Sequence, residues 1–322
     1  MTVLVTGAGG FIGRHVLRRL QQQGQKAVGM TRGEMPGDGW CQGDLDDSLA
    51  LDRACQGASV VVHCAGYAHA FGALCQSDAD MHWRVNYEGT RNLLTAAGEA
   101  GVRRFVFLSS VKAMGEPGAE CLDEDWLGTT FTPYGQAKRA GEDAVRQAGQ
   151  RFSMECVILR PSMVYGPGGK GNLERMAKAI SFGRFPPLPE TGNHRSLVHV
   201  DDVVSAISLA IDHPQSAGRT YIIAHPQAPS GAQLYDALRR ALGMESSSWR
   251  APESLLRLAG HVGSLAETVL HRRMPINAEV VGRLLDSAWY SPDRLMRELG
   301  WKPRVSLAEG LERLVAEASV RG

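Results

Sequence analysis

Thr2-Val3-Leu4-Val5-Thr6 runs straight into Gly7-Ala8-Gly9-Gly10-Phe11-Ile12-Gly13, and that junction restricts the fold more than any other stretch of the chain. The first five residues are β-branched or apolar, the composition of a buried parallel strand. Arg14 to Gln23 follows as a helix with Ile12, Val16, Leu17 and Leu20 on one face. Strand, glycine turn and helix in that order form the setting of a dinucleotide-binding loop. Gly7 permits the tight turn, Gly10 lets the backbone approach a pyrophosphate, and Gly13 lets the helix pack closely on the strand. The unpaired N–H groups and positive dipole end of the helix suit phosphate. The spacing is G-x-x-G-x-x-G.

The same alternation continues. Strands are predicted at Lys26–Met30, Ala58–Cys64, Arg104–Ser110 and Ser153–Arg160, and helices at Ser48–Cys55, Trp83–Ala100 and Thr132–Ala148. Strands alternating with helices call for a parallel sheet with right-handed crossovers. Gly166-Pro167-Gly168-Gly169 and Phe185-Pro186-Pro187-Leu188-Pro189 break the pattern, and from Ser230 the chain reads as mainly helical. The expected organisation is a dinucleotide-binding domain over 1–164 and 191–225, with a smaller substrate lobe over 165–190 and 226–322. A chain of 322 residues can bury the core this requires.

Charge excludes some functions. Lys and Arg total 35 against 34 Asp and Glu, so there is no electrostatic footprint for nucleic acid or an anionic membrane, and an anionic ligand must be met by locally placed cations. No apolar run approaches the roughly 18 residues of a membrane span, and no secretory leader is recognisable. The six cysteines form no C-x-x-C pair and read as reduced thiols of a cytoplasmic protein. His63, His69, His194 and His199 lack metal-ligand spacing, and no metal is expected.

Tyr134 and Lys138 stand four apart on a predicted helix and share a face. A phenol of ordinary pKa about 10 is a poor base near neutrality, and a nearby ammonium lowers it. Ser110 closes a strand at the end of the sheet where open α/β proteins bind ligands. A hydroxyl, a phenol and an ammonium beside a dinucleotide suit carbonyl–alcohol redox chemistry.

With these residues in hand the chain resembles the extended short-chain dehydrogenase/reductases, which include nucleotide-sugar epimerases, dehydratases and 4-keto reductases. The resemblance rests on Thr6–Gly13, Ser109-Ser110, Pro133-Tyr134-Gly135-Gln136-Ala137-Lys138 and Arg160-Pro161. It continues through Val164–Gly168, Asn193–Asp202 and Leu299-Gly300-Trp301-Lys302-Pro303. It implies a Rossmann-type doubly wound α/β fold with a mainly helical lobe. It also implies roles. Ser110 would hydrogen-bond the substrate oxygen, Tyr134 would move the proton, and Lys138 would hold the nicotinamide ribose and tune Tyr134. Gly7, Gly10, Phe11, Ile12, Gly13, Leu45, Ala65, Gly66 and Pro161 would line the cofactor. Asn86 matches an asparagine near the cofactor or is a polar residue inside a helix. Asp44 matches an adenine-contacting aspartate or caps a helix. Arg195 would meet a substrate diphosphate, and Arg283 is either a second such cation or an exposed helical arginine.

Departures from the family pattern narrow the reading. Val111 and Lys112 replace the acid–base carboxylates of the dehydratases, and Met163 stands where many relatives have a sugar-contacting asparagine. Thr31-Arg32 ends the second strand where NAD-selective members carry a carboxylate, which favours NADP over NAD. The expected activity is 4-keto reduction of a UDP-linked N-acetyl-6-deoxyhexose for surface polysaccharide. The alternatives are a UDP-N-acetylglucosamine or UDP-glucose 4-epimerase, a reductase of another small carbonyl compound, and a redox-inactive scaffold. A homodimer is left open.

Overall fold

The computed structural model describes residues 1–34, 37–68, 76–115, 118–126, 128–169, 171–270, 274 and 276–320. In chain order the first half contains β1 (Thr2–Thr6), α1 (Phe11–Gln22), β2 (Lys26–Thr31), β3 (Trp40–Gln42), α2 (Ser48–Cys55), β4 (Val60–His63), α3 (Gln76–Trp83), α4 (Gly89–Glu99), β5 (Arg104–Leu108), α5 (Pro133–Phe152) and β6 (Glu155–Pro161). The second half contains β7 (Met163–Tyr165), α6 (Asn172–Ser181), β8 (Leu197–His199), α7 (Val200–Asp212), β9 (Thr220–Ile223), α8 (Gly231–Ala241), α9 (Glu253–Leu270), α10 (Ala278–Leu285), α11 (Asp293–Leu299) and α12 (Leu307–Val320).

Seven strands form one parallel sheet in the order β3-β2-β1-β4-β5-β6-β9. Its strand order reverses between β1 and β4, which opens a crevice at the carboxyl ends of those strands. The side-chain period of two divides the interior into two layers. Val3, Val5, Val60, Val62, Val106, Val157 and Leu159 pack with α1 and α7 on one face. Leu4, Val61, Phe105, Phe107 and Ile158 pack with α2, α4 and α5 on the other. The strands buried on both faces are mainly apolar runs, as parallel sheets favour, with His63, Arg104 and Arg160 as buried polar exceptions.

β7 and β8 make a separate two-stranded parallel sheet. It joins a third core in which Tyr165, Leu173, Met176 and Leu188 meet Leu234, Leu238, Val281, Leu285 and Leu314. Leu295, Leu299 and Trp301, from the stretch that the sequence reading gives to the substrate lobe, instead enter the first core. The Trp301 indole donates to the Asp202 carbonyl at 3.2 Å and to Ser205 Oγ at 2.9 Å, so this segment is fastened to α7.

Helix ends follow their capping chemistry. Thr132 caps α5 by accepting from Gly135 N at 3.1 Å, with Pro133 in the first turn. Ser230 and Gln233 form a reciprocal capping box at the start of α8.

Candidate functional site

The glycine turn has the geometry that the sequence demands. Gly7 lies at φ +66°, and Gly10 N donates to the Gly7 carbonyl at 2.8 Å. A Cβ on Gly13 would run into that same carbonyl, so α1 can approach β1 this closely only with glycine there. Gly10 is the N-cap of α1 and offers no side-chain cap. Two side chains one turn into α1 reach the breaker loop: Arg14 donates to the Gly168 carbonyl, and His15 Nε2 lies 3.1 Å from the Pro167 carbonyl.

At the end of β2, Thr31 is half-buried and Arg32 exposed. Thr31 Oγ1 accepts from Gly33 N at 3.3 Å and sits 3.7 Å from where a Gly9 side chain would begin. The hydroxyl therefore borders the glycine turn. Asp44 is exposed, and its carboxylate faces Asp46 N at 3.4 Å. The cap of α2 is Asp47, which accepts from Ala50 N at 3.0 Å, so capping does not explain Asp44. Leu45 is buried in the second core layer.

Ala65 and Gly66 follow β4. A side chain on Gly66 would begin 2.9 Å from Asn86 Oδ1 and 3.2 Å from Lys138 Nζ. This bare backbone therefore brings together the end of β4, Asn86 and Lys138. Asn86 is fully buried in a π-helical turn over Arg84–Glu88. Its Oδ1 accepts from Tyr67 N at 3.0 Å, and its Nδ2 donates to the Tyr67 carbonyl at 2.8 Å. Asn86 thus acts on the loop, holding Gly66 in place through its neighbour.

Lys138 is 4 % exposed. Its ammonium donates to the Leu108 carbonyl at 3.0 Å and lies 5.0 Å from the Phe107 ring centre. Tyr134 is half-buried one helical turn earlier. It shares a hydrogen bond with Ser110. Ser110 Oγ accepts from Lys112 N at 3.2 Å, which leaves its O–H free to donate. The sequence reading has Lys138 lowering the Tyr134 phenol, but the balance of forces differs. Burial pushes the phenol above its ordinary value, with the Ser110 hydrogen bond opposing it. Burial likewise brings Lys138 down to about 8, against the pull of Cys64 and Glu142. As pH rises through about 8, Lys138 therefore loses its proton. The value of kcat/KM is expected to fall on an alkaline limb near pH 8, and Lys138→Arg to move that limb beyond pH 10. A limb unmoved by that substitution would assign it to another group.

Two groups beside this trio carry little local signal in the sequence. His82 is buried, with its ring centre 5.5 Å from that of Tyr134, and its Nδ1 lies 3.1 Å from the Tyr67 carbonyl. Glu142 is 1 % exposed and accepts from Ser109 Oγ at 2.7 Å, and from Arg160 through Nε at 2.8 Å and Nη2 at 2.6 Å. The only hint was spacing: Glu142 lies one turn beyond Lys138 on the same face of α5. This buried pair fixes the helix that carries Tyr134 and Lys138 against the strand that ends in Pro161, which is itself buried.

Met163 is half-buried and lines a cleft of about 200 Å³ with Ala68, Tyr165, Gly169, Asn172 and Leu314. A larger cavity of about 440 Å³, between Leu197, His225, Arg240 and Leu307, touches none of Ser110, Tyr134 or Lys138. Arg195 is half-buried, with its guanidinium donating to the Asp286 carbonyl at 3.1 Å and its backbone bridged to Ala288. Arg283 is exposed on α10 and paired with Glu279 one turn away, the surface ion pair of an ordinary helix.

Among the described residues no cluster of His, Cys, Asp and Glu could hold a metal. His63 is a core residue: its two ring nitrogens lie 2.6 Å from Thr6 Oγ1 and 3.0 Å from Thr90 Oγ1, and burial brings it down to about 3. His194 stacks on Trp289 at 4.0 Å, and His199 accepts from Asp201 N at 3.2 Å. His69 lies outside the described residues, as does Cys75.

The family model described as the NAD dependent epimerase/dehydratase family matches residues 3–224. The UDP-glucose 4-epimerase of Vibrio cholerae is 30% identical over 326 residues, spanning 97% of this chain and 93% of that protein. The 2-alkyl-3-oxoalkanoate reductase of Stenotrophomonas maltophilia (strain K279a) is 29% identical over 339 residues, spanning 99% of this chain and all of that one. Among solved structures, MoeE5 in complex with UDP-glucuronic acid and NAD is 26% identical, covers 100% of both chains and superposes with a TM-score of 0.77. The glycine turn, the seven-stranded sheet and the Ser–Tyr–Lys grouping agree with these matches, and this chain belongs to the NAD-dependent epimerase/dehydratase family of short-chain dehydrogenase/reductase enzymes.

Proposed function

We propose that this chain reduces the 4-keto group of a UDP-linked N-acetyl-6-deoxyhexose with NADPH. The observation that carries the reading is Thr31-Arg32 at the end of β2, beside the glycine turn. A hydroxyl and a guanidinium replace the acidic residue that would bind a ribose 2′-OH, and Arg forms forked, charge-assisted bonds to phosphate. An enzyme that draws on NADPH consumes its cofactor at every turnover, whereas an epimerase restores it.

The residues fit a nicotinamide dinucleotide. α1 begins without a side-chain cap, so its first-turn N–H groups are available to a pyrophosphate. Gly66 leaves bare backbone beside the buried Lys138 ammonium, where a ribose hydroxyl would be held. The cofactor, when bound, supplies the hydride. Ser110 presents its O–H to the ketone oxygen. Tyr134 gives its proton to that oxygen as charge develops there, and the nearby Lys138 ammonium stabilises the phenolate left behind. The phenol, raised by burial, stays protonated at neutral pH, which suits a proton donor in the reductive direction.

Stoichiometry tests the reading. Purified enzyme is incubated with a UDP-4-keto-6-deoxy-N-acetylhexosamine and NADPH, and absorbance is followed with product. One NADPH oxidised per alcohol formed supports reduction. Interconversion of UDP-N-acetylglucosamine and UDP-N-acetylgalactosamine without net cofactor consumption rejects it in favour of a 4-epimerase, the activity named for the Vibrio cholerae relative. A small-carbonyl reductase is the second reading, favoured by Met163 on the cleft wall and by the activity named for the Stenotrophomonas maltophilia relative. Turnover of a 3-oxoalkanoate but of no nucleotide sugar would install it.

Two substitutions probe the ends of the site. Arg32→Ala is expected to weaken NADPH binding about tenfold or more, in line with the loss of a charged hydrogen bond, while NAD affinity hardly changes; titration by fluorescence reads both. Arg195→Ala is expected to raise the KM for the nucleotide sugar about tenfold with cofactor affinity unchanged. Unaltered substrate binding would move the diphosphate elsewhere.

A further inference from the structure

α9 is turned inside out. Leu255, Leu258, Val262, Leu265, Val269 and Leu270 are 58%, 61%, 60%, 67%, 69% and 62% exposed. Its inward face is built from Gly260 and Gly263, where a Cβ would meet Val281 at 3.0 Å and the Ile276 carbonyl respectively. Small residues thus bring the helix backbone onto α10; Leu256 packs inward against the third core, and the six other large apolar side chains are left outside.

The charged residues of α9 beyond its first turn are drawn away from that face. Arg257 is bonded to Glu253 at 2.8 Å and to Asp286 at 3.1 Å. Glu267 accepts from Met274 N at 2.8 Å and from Asn277 Nδ2 at 2.9 Å. The other exposed residues from 254 to 270 are serine, alanine, histidine and threonine. Trp249 before the helix and Ile276 after it are 57% and 50% exposed.

We propose that α9 is a docking helix for a phospholipid bilayer, lying in the plane of the headgroup region with this face inserted. Three features select lipid over a second copy of the chain. At 3.6 residues per turn the six side chains cover an arc of roughly 140°, wider than the narrow seam of a paired coil. An 18-residue helix is about 27 Å long and 10–12 Å across, so it offers a twin roughly 300 Å², far below the ~800 Å² per partner of a stable interface. Trp249 is exposed four residues ahead of the helix that carries this uncharged aliphatic face, and an amphipathic aromatic flanking an apolar helix face is common at the membrane–water boundary. No helix among the described residues is long and apolar enough to cross a membrane, which agrees with attachment to one leaflet.

The full-length protein is floated with vesicles of phosphatidylethanolamine and phosphatidylglycerol, and separately of phosphatidylcholine. It is expected to float with the anionic vesicles, and Leu258→Glu with Leu265→Glu to cut the floated fraction at least fivefold. Cofactor binding and thermal melting of the variant report that the fold is intact; if it melts early, Leu258→Ser with Leu265→Ser takes its place. Brominated lipid should quench the tryptophan fluorescence of the wild type, and Trp249→Phe should remove that quenching. The proposal is overturned if the wild type floats with neither composition, or if the variant floats equally well. It is also overturned if the wild type sediments as a dimer that the variant converts to monomer, because a second copy then covers the face.

Discussion

Tyr134→Phe is expected to lower turnover by two or more orders of magnitude while cofactor affinity and unfolding stay close to wild type. The substitution removes one oxygen and keeps the ring that packs against His82 at 5.5 Å. That oxygen is the acid of the proposed proton transfer, and positioned proton transfer contributes about 10²–10⁴-fold. Ser110 cannot replace it, since an unperturbed hydroxyl is a far weaker acid than a phenol. Lys138 is engaged with the Leu108 carbonyl at 3.0 Å. Single-turnover reduction under saturating NADPH isolates the step from product release. Wild-type turnover in this variant would falsify the assignment of Tyr134.

The second large effect is on stability. Glu142→Ala is expected to cost about 3–5 kcal/mol in urea unfolding, the range for breaking a buried ion pair. It leaves Arg160, 2 % exposed, without its carboxylate, and Ser109 without its acceptor. Arg160 then keeps its bond to the Glu124 carbonyl at 3.2 Å. Two controls separate this from a general weakness of α5. Arg146→Ala removes a 46 % exposed partner of the same carboxylate and should change stability by less than about 1 kcal/mol. Replacing both members of the pair, Glu142→Met with Arg160→Leu, should recover most of the loss, because no charge is then left buried. A double variant as unstable as Glu142→Ala would show that the shape of the pair, not its charge, matters.

The fold was legible because its main strands are buried on both faces and its helices carry one apolar stripe. Those patterns are local. β3 was not, since its three residues follow a glycine-rich loop and pair only through Gly29–Thr31 of β2. α3 was also missed, because Gln76–Trp83 has no apolar stripe. The trio Ser110, Tyr134 and Lys138 could be named from spacing and strand ends. The function of Asn86 could not: only the folded chain shows that its amide is spent on the Tyr67 backbone. Glu142 and Arg160 meet across two elements, and long-range pairing of that kind has no sequence period. Net charge, near zero, spoke against a membrane footprint. It could not reveal which face of α9 stays uncovered, because an apolar stripe looks the same whether protein, lipid or water lies beyond it.

The strand order sets a timetable for synthesis. β6 pairs with β5 on one side and with β9 on the other, yet β9 is reached only after β7, α6, β8 and α7 have been made. A chain that emerges amino end first can assemble the sheet as far as β6 and must then wait. During that wait the backbone of Ile158–Pro161 is an open sheet edge on an apolar strand, the arrangement that recruits other chains. The nascent protein is therefore most exposed to misassembly after β6 is complete and before Thr220–Ile223 arrives.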